Sequence, residues 1–370
     1  MRAINANKTK ILNDPIYGFT NISDALIFNL VEHPYFQRLR RISQLGLTYL
    51  VYPGAHHTRF HHALGAMHLM QRAISTLKSK GHEITSEEEQ AVLIAILLHD
   101  VGHGPFSHAL EHSIAYGINH EDISMLIMDK LNEQFKGKLS LAIKIFRNEY
   151  SKAFLHQLIS SQLDVDRLDY LKRDSFYSGV SEGIINSDRI ISMLNVSNGN
   201  LVVDAKAIYS IEKFIIARRL MYWQVYLHKT VLSAEFSLVE ALKRAKRLVK
   251  NGVNIFSTSA LREFLQNNHS LENFNANPKL LGLFCQLDDI DIMSSIKEWS
   301  HHPDTILSVL SKNIIERKFD IEKELLLSLM GIETNFGTYV GKMDILSSLA
   351  TLSFDKRRSE FFTNELLILL

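Results

Sequence analysis

Apolar residues recur along most of this chain at the spacing of an α-helix. Between residues 62 and 77 they fall three or four positions apart, which predicts a helix with one buried face. The apolar positions of this segment are Ala63, Ala66, Met67, Met70, Ile74 and Leu77. Glycine and proline are sparse, at 17 and 6 residues, so few positions interrupt the pattern.

Three further helices are expected before residue 175. Ser86 and Glu89 predict a capping box that opens a buried helix with the sequence QAVLIAILLHD. Its end is predicted by Gly102, Gly104 and Pro105. Another helix is expected from about His120, and another over about 153–174.

Two short segments favour β-strands instead. LNDPIYGFT predicts an extended pair joined by a glycine turn, and MLNVSNGNLVVD places Asn198 and Gly199 between β-prone runs, which is a strong hairpin signal. After the second segment, 205–250 reads as one long helix. The prediction is an all-α fold with one or two small β-hairpins, divided softly into a core of residues 1–250 and a mostly helical extension of residues 251–370 packed on that core.

Composition limits the classes of partner. Lys and Arg number 41 against 40 Asp and Glu, so no overall basic field indicates a nucleic-acid or membrane partner. No apolar run reaches the roughly 18 residues that a membrane span needs. One cysteine, Cys285, excludes an internal disulfide. We expect a cytoplasmic protein with no membrane partner.

Histidines cluster in the first third of the chain, most densely in LLHDVGHGPFSHALEH at residues 97–112. His62 begins one predicted helix, His99 and Asp100 end another, and Asp166 lies on a third. Imidazole and carboxylate groups at helix ends can converge on one divalent cation. Taken singly, each of these residues fits equally well as an ordinary hydrogen-bonded group at a helix end.

The third helix carries a polar face. Asp166, Tyr170 and Asp174 are spaced i, i+4 and i+8, so they share one side of the helix. Carboxylates are costly to bury among apolar atoms, so this face is expected to line solvent or a polar cavity.

The ordered series His62, His99-Asp100 and Asp166 resembles the H…HD…D signature of the HD-superfamily metal-dependent phosphohydrolases. QLGLTYLVYPGAHHTRFHHALG, LLHDVGHGPFSHALE, LDVDRLDYLKRDSFYSG and YLHK are similar to the dNTP triphosphohydrolase branch, which includes bacterial dGTP triphosphohydrolases and an animal enzyme with a sterile-alpha-motif and an HD domain. The resemblance extends over about residues 10–320. It implies an HD-domain catalytic core within residues 1–250.

The resemblance also implies roles for individual residues. The metal ligands would be His62, His99, Asp100 and Asp166, holding a divalent ion (Mn, Mg, Fe, Ni, Co or Zn). The catalytic set would be His108, Glu111, His103 and His120, with His108 giving a proton to the leaving group. The substrate contacts would be Arg59, Gln44, Leu45, Arg167, Tyr170, Asp174, Arg218 and Tyr226. Metal-activated water would attack the α-phosphate and release deoxynucleoside and triphosphate.

Two departures from the family pattern leave other functions open. His61 stands where relatives commonly have an acid, so it would perturb the site or supply a spare ligand, and Tyr222 and Trp223 replace more basic and polar residues. The alternatives are an HD phosphohydrolase for nucleoside monophosphates or other phosphate esters, and a nucleotide or nucleic-acid sensor with little turnover. A nucleic-acid partner is not favoured, and family analogy implies a homo-oligomer, a dimer or a tetramer.

Overall fold

Helices dominate the computed structural model, which describes residues 10–106 and 118–316. Two antiparallel sheets of two strands each accompany the helices within these ranges. The predicted all-α fold with small hairpins is therefore confirmed. The described residues fall in one compact unit, 1–319, and a second unit, 320–370, lies outside them.

The first hairpin pairs β1 (Lys10–Asp14) with β2 (Gly18–Ile22). The Asp14 carboxylate accepts a hydrogen bond from the backbone N–H of Tyr17 at 3.1 Å, which stabilises the turn. Gly18 has a φ of +78°, a left-handed conformation that glycine adopts without strain. The turn thereby projects the side chains of Asp14 and Tyr17 toward the helices.

The second hairpin pairs β3 (Leu194–Ser197) with β4 (Asn200–Val203). Asn198 and Gly199 have φ values of +50° and +78°, as a two-residue type I′ turn requires. Both hairpins expected from the sequence are present.

The helices before residue 150 are α1 (Ala25–Val31), α2 (Pro34–Gln37), α3 (Arg59–Ser79), α4 (Ser86–Leu98), α5 (His120–Gln134) and α6 (Ser140–Phe146). Those that follow, up to residue 250, are α7 (Ala153–Gln157), α8 (Val165–Ser178), α9 (Ser187–Ser192), α10 (Ile208–Met221) and α11 (Lys229–Lys250). The remaining ones are α12 (Ser259–Gln266), α13 (Leu271–Ala276), α14 (Pro278–Phe284), α15 (Asp289–Trp299) and α16 (Thr305–Glu316).

The central helix α3 packs against both α4 and α8 and contains the predicted segment 62–77. Its N-terminus is closed by His61, whose Nδ1 accepts a hydrogen bond from the backbone N–H of Thr58 at 3.2 Å. A glutamate at this third helical position commonly makes the same bond. His61 therefore acts as a helix cap, and it lies outside the groups whose ligand atoms cluster.

The cap of α4 lies one residue earlier than the sequence indicated. Thr85 Oγ1 accepts from the backbone N–H of Glu88 at 3.1 Å, and the Glu88 carboxylate accepts from the N–H of Thr85 at 2.8 Å. The capping box is therefore Thr85–Glu88, not Ser86–Glu89. Glu88 is suited to this place because Tyr150 and Lys152 also donate to its buried carboxylate.

The expected helix over 153–174 is wrong, because the chain forms two helices there. α7 ends at Gln157, and α8 begins only after Asp164. The Asp164 carboxylate accepts from the backbone N–H groups of Ser161 and Arg167, both at 2.8 Å, so it satisfies one donor within the break and one in the first turn of α8.

The single helix expected over 205–250 is also wrong. α10 ends in a π-helical turn, Tyr222–Tyr226, where the N–H of Leu227 donates to the carbonyl of Tyr222 at 2.8 Å. His228 then caps α11, its Nδ1 accepting from the N–H of Thr230 at 3.3 Å. π-turns of this kind interrupt helices and frequently occur at functional sites.

Helices α12–α16 occupy the described part beyond residue 250, where α16 packs against α11. Trp299 is buried and donates its indole N–H to the carbonyl of Phe256 at 2.8 Å. The boundary near residue 251 stays a prediction. Among the described residues, no helix is long and apolar enough to cross a membrane.

Candidate metal centre

The four predicted ligands lie at the ends of three helices that meet. His62 is in the first turn of α3, His99 caps the C-terminus of α4 with Asp100 beside it, and Asp166 is in the first turn of α8. Since α3 packs against both α4 and α8, these ends converge. Residues at helix ends leave the buried apolar stripe, so their side chains can point into a shared cavity.

The ligand atoms of His62, His99 and Asp166 are spaced as a cation would require, and Asp100 lies at the edge of this group, where it also meets His103 and His120. Nε2 of His62 lies 3.0 Å from Oδ1 of Asp166, and Nε2 of His99 lies 3.4 Å from the same oxygen. Asp100 is near both rings, 3.3 Å from Nε2 of His99 and 3.8 Å from Nε2 of His62. Bonds of about 2.0–2.2 Å to one ion place neighbouring ligands about 3.0–3.5 Å apart.

The hydrogen bonds of both imidazoles direct their free nitrogens into this space. Nδ1 of His62 lies 2.8 Å from a carboxylate oxygen of Asp169, and Nδ1 of His99 lies 2.7 Å from the carbonyl of Ile96. In the neutral form of each ring Nδ1 therefore carries the hydrogen, which leaves the lone pair on Nε2. Within the described ranges both buried Nε2 atoms lack a hydrogen-bond partner. These residues fit a divalent cation.

The charges of the cluster favour a cation. Burial opposes ionisation of Asp166, but the adjacent imidazoles of His62 and His99 outweigh burial and hold the pKa of this carboxyl well below its usual range. Burial likewise opposes protonation of His62, yet Asp166 and Asp169 raise its pKa to about 10. The carboxylates thus attract positive charge strongly enough to draw a proton onto a ligand, and a divalent ion satisfies the same demand.

A buried ion-pair network supports His62 from behind. Arg173 donates to both oxygens of Asp169, from Nε at 2.9 Å and from Nη2 at 3.0 Å. Its third nitrogen, Nη1, donates to Asp14 in the first hairpin at 2.8 Å. Asp169 and Arg173 are fully buried. The network fixes the ring of His62 because Asp169 is itself fixed.

A glycine in α3 makes room for this network. A Cβ atom at Gly65 would lie 2.1 Å from both Nη2 of Arg173 and Oδ1 of Asp169. Any side chain there would displace the ion pair. Asp169, Arg173 and Gly65 were not predicted from the sequence, although the position of Asp169 three residues after Asp166 was a usable signal.

The two arginines that were predicted to contact phosphate, Arg59 and Arg167, each form an ion pair with a carboxylate of the protein. Arg59 Nη1 donates to Asp100 at 2.8 Å, so its charge lies directly beside a predicted ligand. Arg167 forms an ion pair with Asp164, the cap of its own helix. Arg59 is nearly buried, whereas the side chain of Arg167 is one quarter exposed.

His103 and His120 form a second cluster with Asp100. Their rings stack at 3.8 Å between centroids, and Nε2 of His103 lies 3.3 Å from Oδ1 of Asp100. Burial, together with the charge of Arg59, lowers the pKa of His103 to about 3, so this imidazole is neutral at pH 7. The other predicted catalytic residues, His108 and Glu111, lie outside the described residues.

Two of the predicted sugar-binding residues, Tyr170 and Tyr226, lie close to His62. The ring centroid of Tyr170 is 6.5 Å from that of His62 and 6.3 Å from that of Tyr226. The hydroxyl of Tyr226 donates to Asp174 at 2.8 Å, and Asp174 is almost fully buried. Tyr222 packs against Tyr226, and the guanidinium of Arg218 lies 5.8 Å from the Tyr222 ring.

His57, for which the sequence predicted no role, contacts the same carboxylate of Asp174. Its Nε2 lies 2.7 Å from Oδ1 of Asp174, and its ring stacks on Tyr177. Both oxygens of Asp174 therefore have partners inside the protein. The side-chain oxygen of Gln44, in contrast to the oxygens of Asp174, is buried without a hydrogen-bond partner in the described part of the chain. Leu45 packs on the hydrophobic core.

Family comparisons identify two adjoining regions and one C-terminal match. The HD domain family matches residues 59–174, and the family described as HD associated region matches residues 185–256. A Transglycosylase SLT domain family matches residues 299–370, of which the structure describes 299–316.

Individual relatives cover most of the chain. The Bacillus subtilis protein YwfO is 34% identical over 84% of this chain and 71% of its own length. The deoxynucleoside triphosphate triphosphohydrolase SAMHD1 homolog of Dictyostelium discoideum is 32% identical over 65% of this chain, but the match spans only 50% of that protein. The crystal structure of a phosphohydrolase from Bacteroides thetaiotaomicron has 52% identity and a TM-score of 0.83, covering 89% of this chain and 85% of that one.

Replacing Asp169 by asparagine tests the support behind His62. Asp169→Asn keeps the shape of the side chain but removes the charge that orients the ring. We expect the affinity for Mn²⁺, measured by isothermal titration calorimetry, to fall about 10–100-fold. Asp188→Asn, an aspartate on the surface, is the matched control. An unchanged affinity in folded Asp169→Asn protein would show that the ring needs no such support.

Proposed function

The chain belongs to the HD-domain superfamily of metal-dependent phosphohydrolases, and from this premise we propose that it hydrolyses deoxynucleoside triphosphates to deoxynucleoside and triphosphate. The observation that carries the proposal is the position of the tyrosine wall, Tyr170 and Tyr226, directly beside the cluster around His62. A phosphate group at the ligands would place an attached sugar against this wall. The similarity to a dNTP triphosphohydrolase from Dictyostelium supports the same substrate class.

His62, His99, Asp100 and Asp166 would hold the divalent ion, which is Mn, Mg, Fe, Ni, Co or Zn. When bound, such an ion lowers the pKa of water and neutralises phosphate charge. The chain's own contribution is to fix the four ligand atoms and to keep both imidazoles in the tautomer that presents Nε2.

Cationic and neutral donors would bind the phosphate chain. Arg59 places a permanent charge beside Asp100, in reach of a phosphate at the ligands, and we assign it to the α-phosphate. Arg167 would reach the phosphate chain by turning away from Asp164. Neutral His103 and its neighbour His120 suit hydrogen bonds to phosphate oxygens, while His108, oriented by Glu111, would protonate the leaving 5′-oxygen.

The sugar would be held by Gln44, Leu45, Tyr170, Asp174 and Tyr226, with Arg218 as a further contact. Gln44 Oε1 is the readiest acceptor for a 3′-hydroxyl, since it has no protein partner among the described residues. Asp174 acts by fixing Tyr226, whose ring then packs at the sugar. Tight packing there would exclude the 2′-hydroxyl of a ribonucleotide.

The case for a sensor with little turnover is weakened by His61. The histidine at position 61, where relatives commonly have an acid, was one reason to consider a sensor. Its ring caps α3 instead of perturbing the ligand cluster. A phosphohydrolase for nucleoside monophosphates or other phosphate esters uses the same ligands and is distinguished by its products.

Removing a ligand tests the activity. We expect the purified protein with Mn²⁺ to release deoxynucleoside and triphosphate from dNTPs, detected by chromatography. Asp166→Ala should lose more than about 100-fold in rate, because even residues behind the ligands are worth about 10–100-fold. Asp129→Ala, at an exposed aspartate of α5, should retain full activity.

Three results would contradict this proposal in different ways. Inorganic phosphate released from a nucleoside monophosphate, without turnover of any dNTP, would favour the phosphate-ester enzyme. Nucleotide binding without turnover would favour the sensor. Binding to single-stranded nucleic acid that weakens steeply with salt would indicate a nucleic-acid partner.

Tyr226→Phe tests the sugar wall. The change removes the hydroxyl that Asp174 holds, a bond worth about 0.5–1.5 kcal/mol, so the ring loses its fixed position. We expect the preference for dNTP over the matching ribonucleotide, measured as the ratio of kcat/KM values, to fall about 2–10-fold. Tyr209→Phe, on the exposed face of α10, is the control. An unchanged ratio would remove Tyr226 from sugar selection.

We also propose that the protein forms a homo-oligomer, a dimer or a tetramer, in the cytoplasm. The support is apolar surface on α10, where the side chains of Ile208, Ile215 and Ile216 are each more than half exposed. Patches of this kind commonly mark interfaces.

Ile216→Glu tests the assembly. A buried charge at a contact between copies is costly, so we expect the oligomer seen by light scattering coupled to chromatography to dissociate. Lys138→Glu, at an exposed lysine before α6, serves as the control for added negative charge. A wild-type protein that runs as a monomer at every concentration would refute the proposal.

A further inference from the structure

Arg38 is a fully buried arginine that pairs with no carboxylate among the described residues. It begins the 3-10 turn Arg38–Arg41 and is 1% exposed. Its Nη2 donates to two backbone carbonyls, those of Val101 at 3.2 Å and His103 at 2.6 Å. Among the described residues Nε and Nη1 have no oxygen acceptor, and the nearest polar group to the guanidinium besides the two carbonyls is the thiol of Cys285.

This environment is unfavourable for a guanidinium. Arginine stays ionised at neutral pH even when burial lowers its pKa, as it does here. The face of the Phe284 ring lies 5.5 Å away, and the Cys285 thiol lies alongside. Burial raises the pKa of Cys285 to about 11, so the thiol is neutral and supplies no counter-charge. A buried charge without an ion-pair partner costs stability.

The two carbonyls that Arg38 binds belong to the turn that carries the ligands. The turn leaves α4 at His99 and Asp100 and continues to His103. On its other side the N–H of Gly102 donates to Ser124 Oγ at 2.9 Å, and the Ser124 hydroxyl donates to the carbonyl of His99 at 2.8 Å. The turn is therefore held from α5 on one side and by Arg38 on the other.

We propose that Arg38 is a positioning residue: by holding the carbonyls of Val101 and His103, it fixes the direction in which His99 and Asp100 present their ligand atoms. The inference rests on the metal centre of the proposed function. A positioning role explains why a charge that stability does not require occupies this place, because a residue that positions a site can be retained at the expense of stability.

The test replaces Arg38 by methionine, which fills similar volume without charge. Removing a poorly paired buried charge is neutral or stabilising, so the unfolding temperature in EDTA should stay within about 2 °C of wild type or rise. The affinity for Mn²⁺, measured by calorimetry, should fall at least about tenfold because the turn is no longer fixed. Activity should fall through kcat more than through KM.

Arg40→Met is the matched control, because Arg40 lies on the same turn and is exposed. It should bind Mn²⁺ as the wild type does. Arg38→Lys keeps the charge and one donor, so it should fold even if Arg38→Met does not, and its Mn²⁺ affinity should lie between those of wild type and Arg38→Met.

The inference is overturned if folded Arg38→Met, or folded Arg38→Lys where the methionine variant fails to fold, binds Mn²⁺ as tightly as the wild type. A drop of the unfolding temperature of Arg38→Met in EDTA by more than about 5 °C, with unchanged Mn²⁺ affinity, would assign Arg38 a purely structural role. Failure of wild type and Arg40→Met alike to bind Mn²⁺ would overturn the metal centre, and this inference with it. If the wild type binds Mn²⁺ but does not turn over dNTPs, the proposed substrate is wrong, whereas the positioning role of Arg38 is still supported by a loss of Mn²⁺ affinity in Arg38→Met.

Discussion

The hydrogen bond between Nδ1 of His62 and Asp169 ties the candidate metal centre to the interior of the fold. Asp169 is fully buried, and a buried carboxylate is stable only when it is paired. Arg173 supplies that pairing and in turn requires Asp14, which the first hairpin delivers. The position of His62, one of the proposed ligands, therefore depends on α3, α8 and β1 together. A fold that moved any of these elements would leave a charge buried without a partner.

The parts of the structure that could be predicted from the sequence are those set by local patterns. The helix around residues 62–77 follows from apolar spacing alone, and the Asn198-Gly199 hairpin follows from residues that accept left-handed backbone. The convergence of His62, His99 and Asp166 could be anticipated because each lies at a helix end and their order resembles a known series. What each residue does there beyond geometry stays a proposal.

The parts that could not be predicted depend on contacts distant in sequence. Asp169 and Arg173 have the i, i+4 spacing of an ordinary surface ion pair, and only the packing of α8 on α3 buries them. The π-turn after α10 places Tyr226 against Asp174, a partner 52 residues away. The break before α8 was accessible in principle, since Asp164 is a favourable cap, but apolar residues on both sides obscured it.

Helix α8 serves both halves of the candidate site through neighbouring faces. Asp166, Tyr170 and Asp174 follow one another along one face, which carries the contacts to His62 and Tyr226, whereas Asp169 and Arg173 are fully buried on the neighbouring face. The first face would contact metal and sugar, and the second holds the ligand on α3 in place. Because the two faces share one rigid helix, the distance from the ligands to the tyrosine wall is fixed by helical rise rather than by loops. A nucleotide would thus contact the same helix with its phosphate at one end and its sugar at the other. A phosphate ester without this sugar would make only the first contact, which would be a physical basis for selecting a nucleotide.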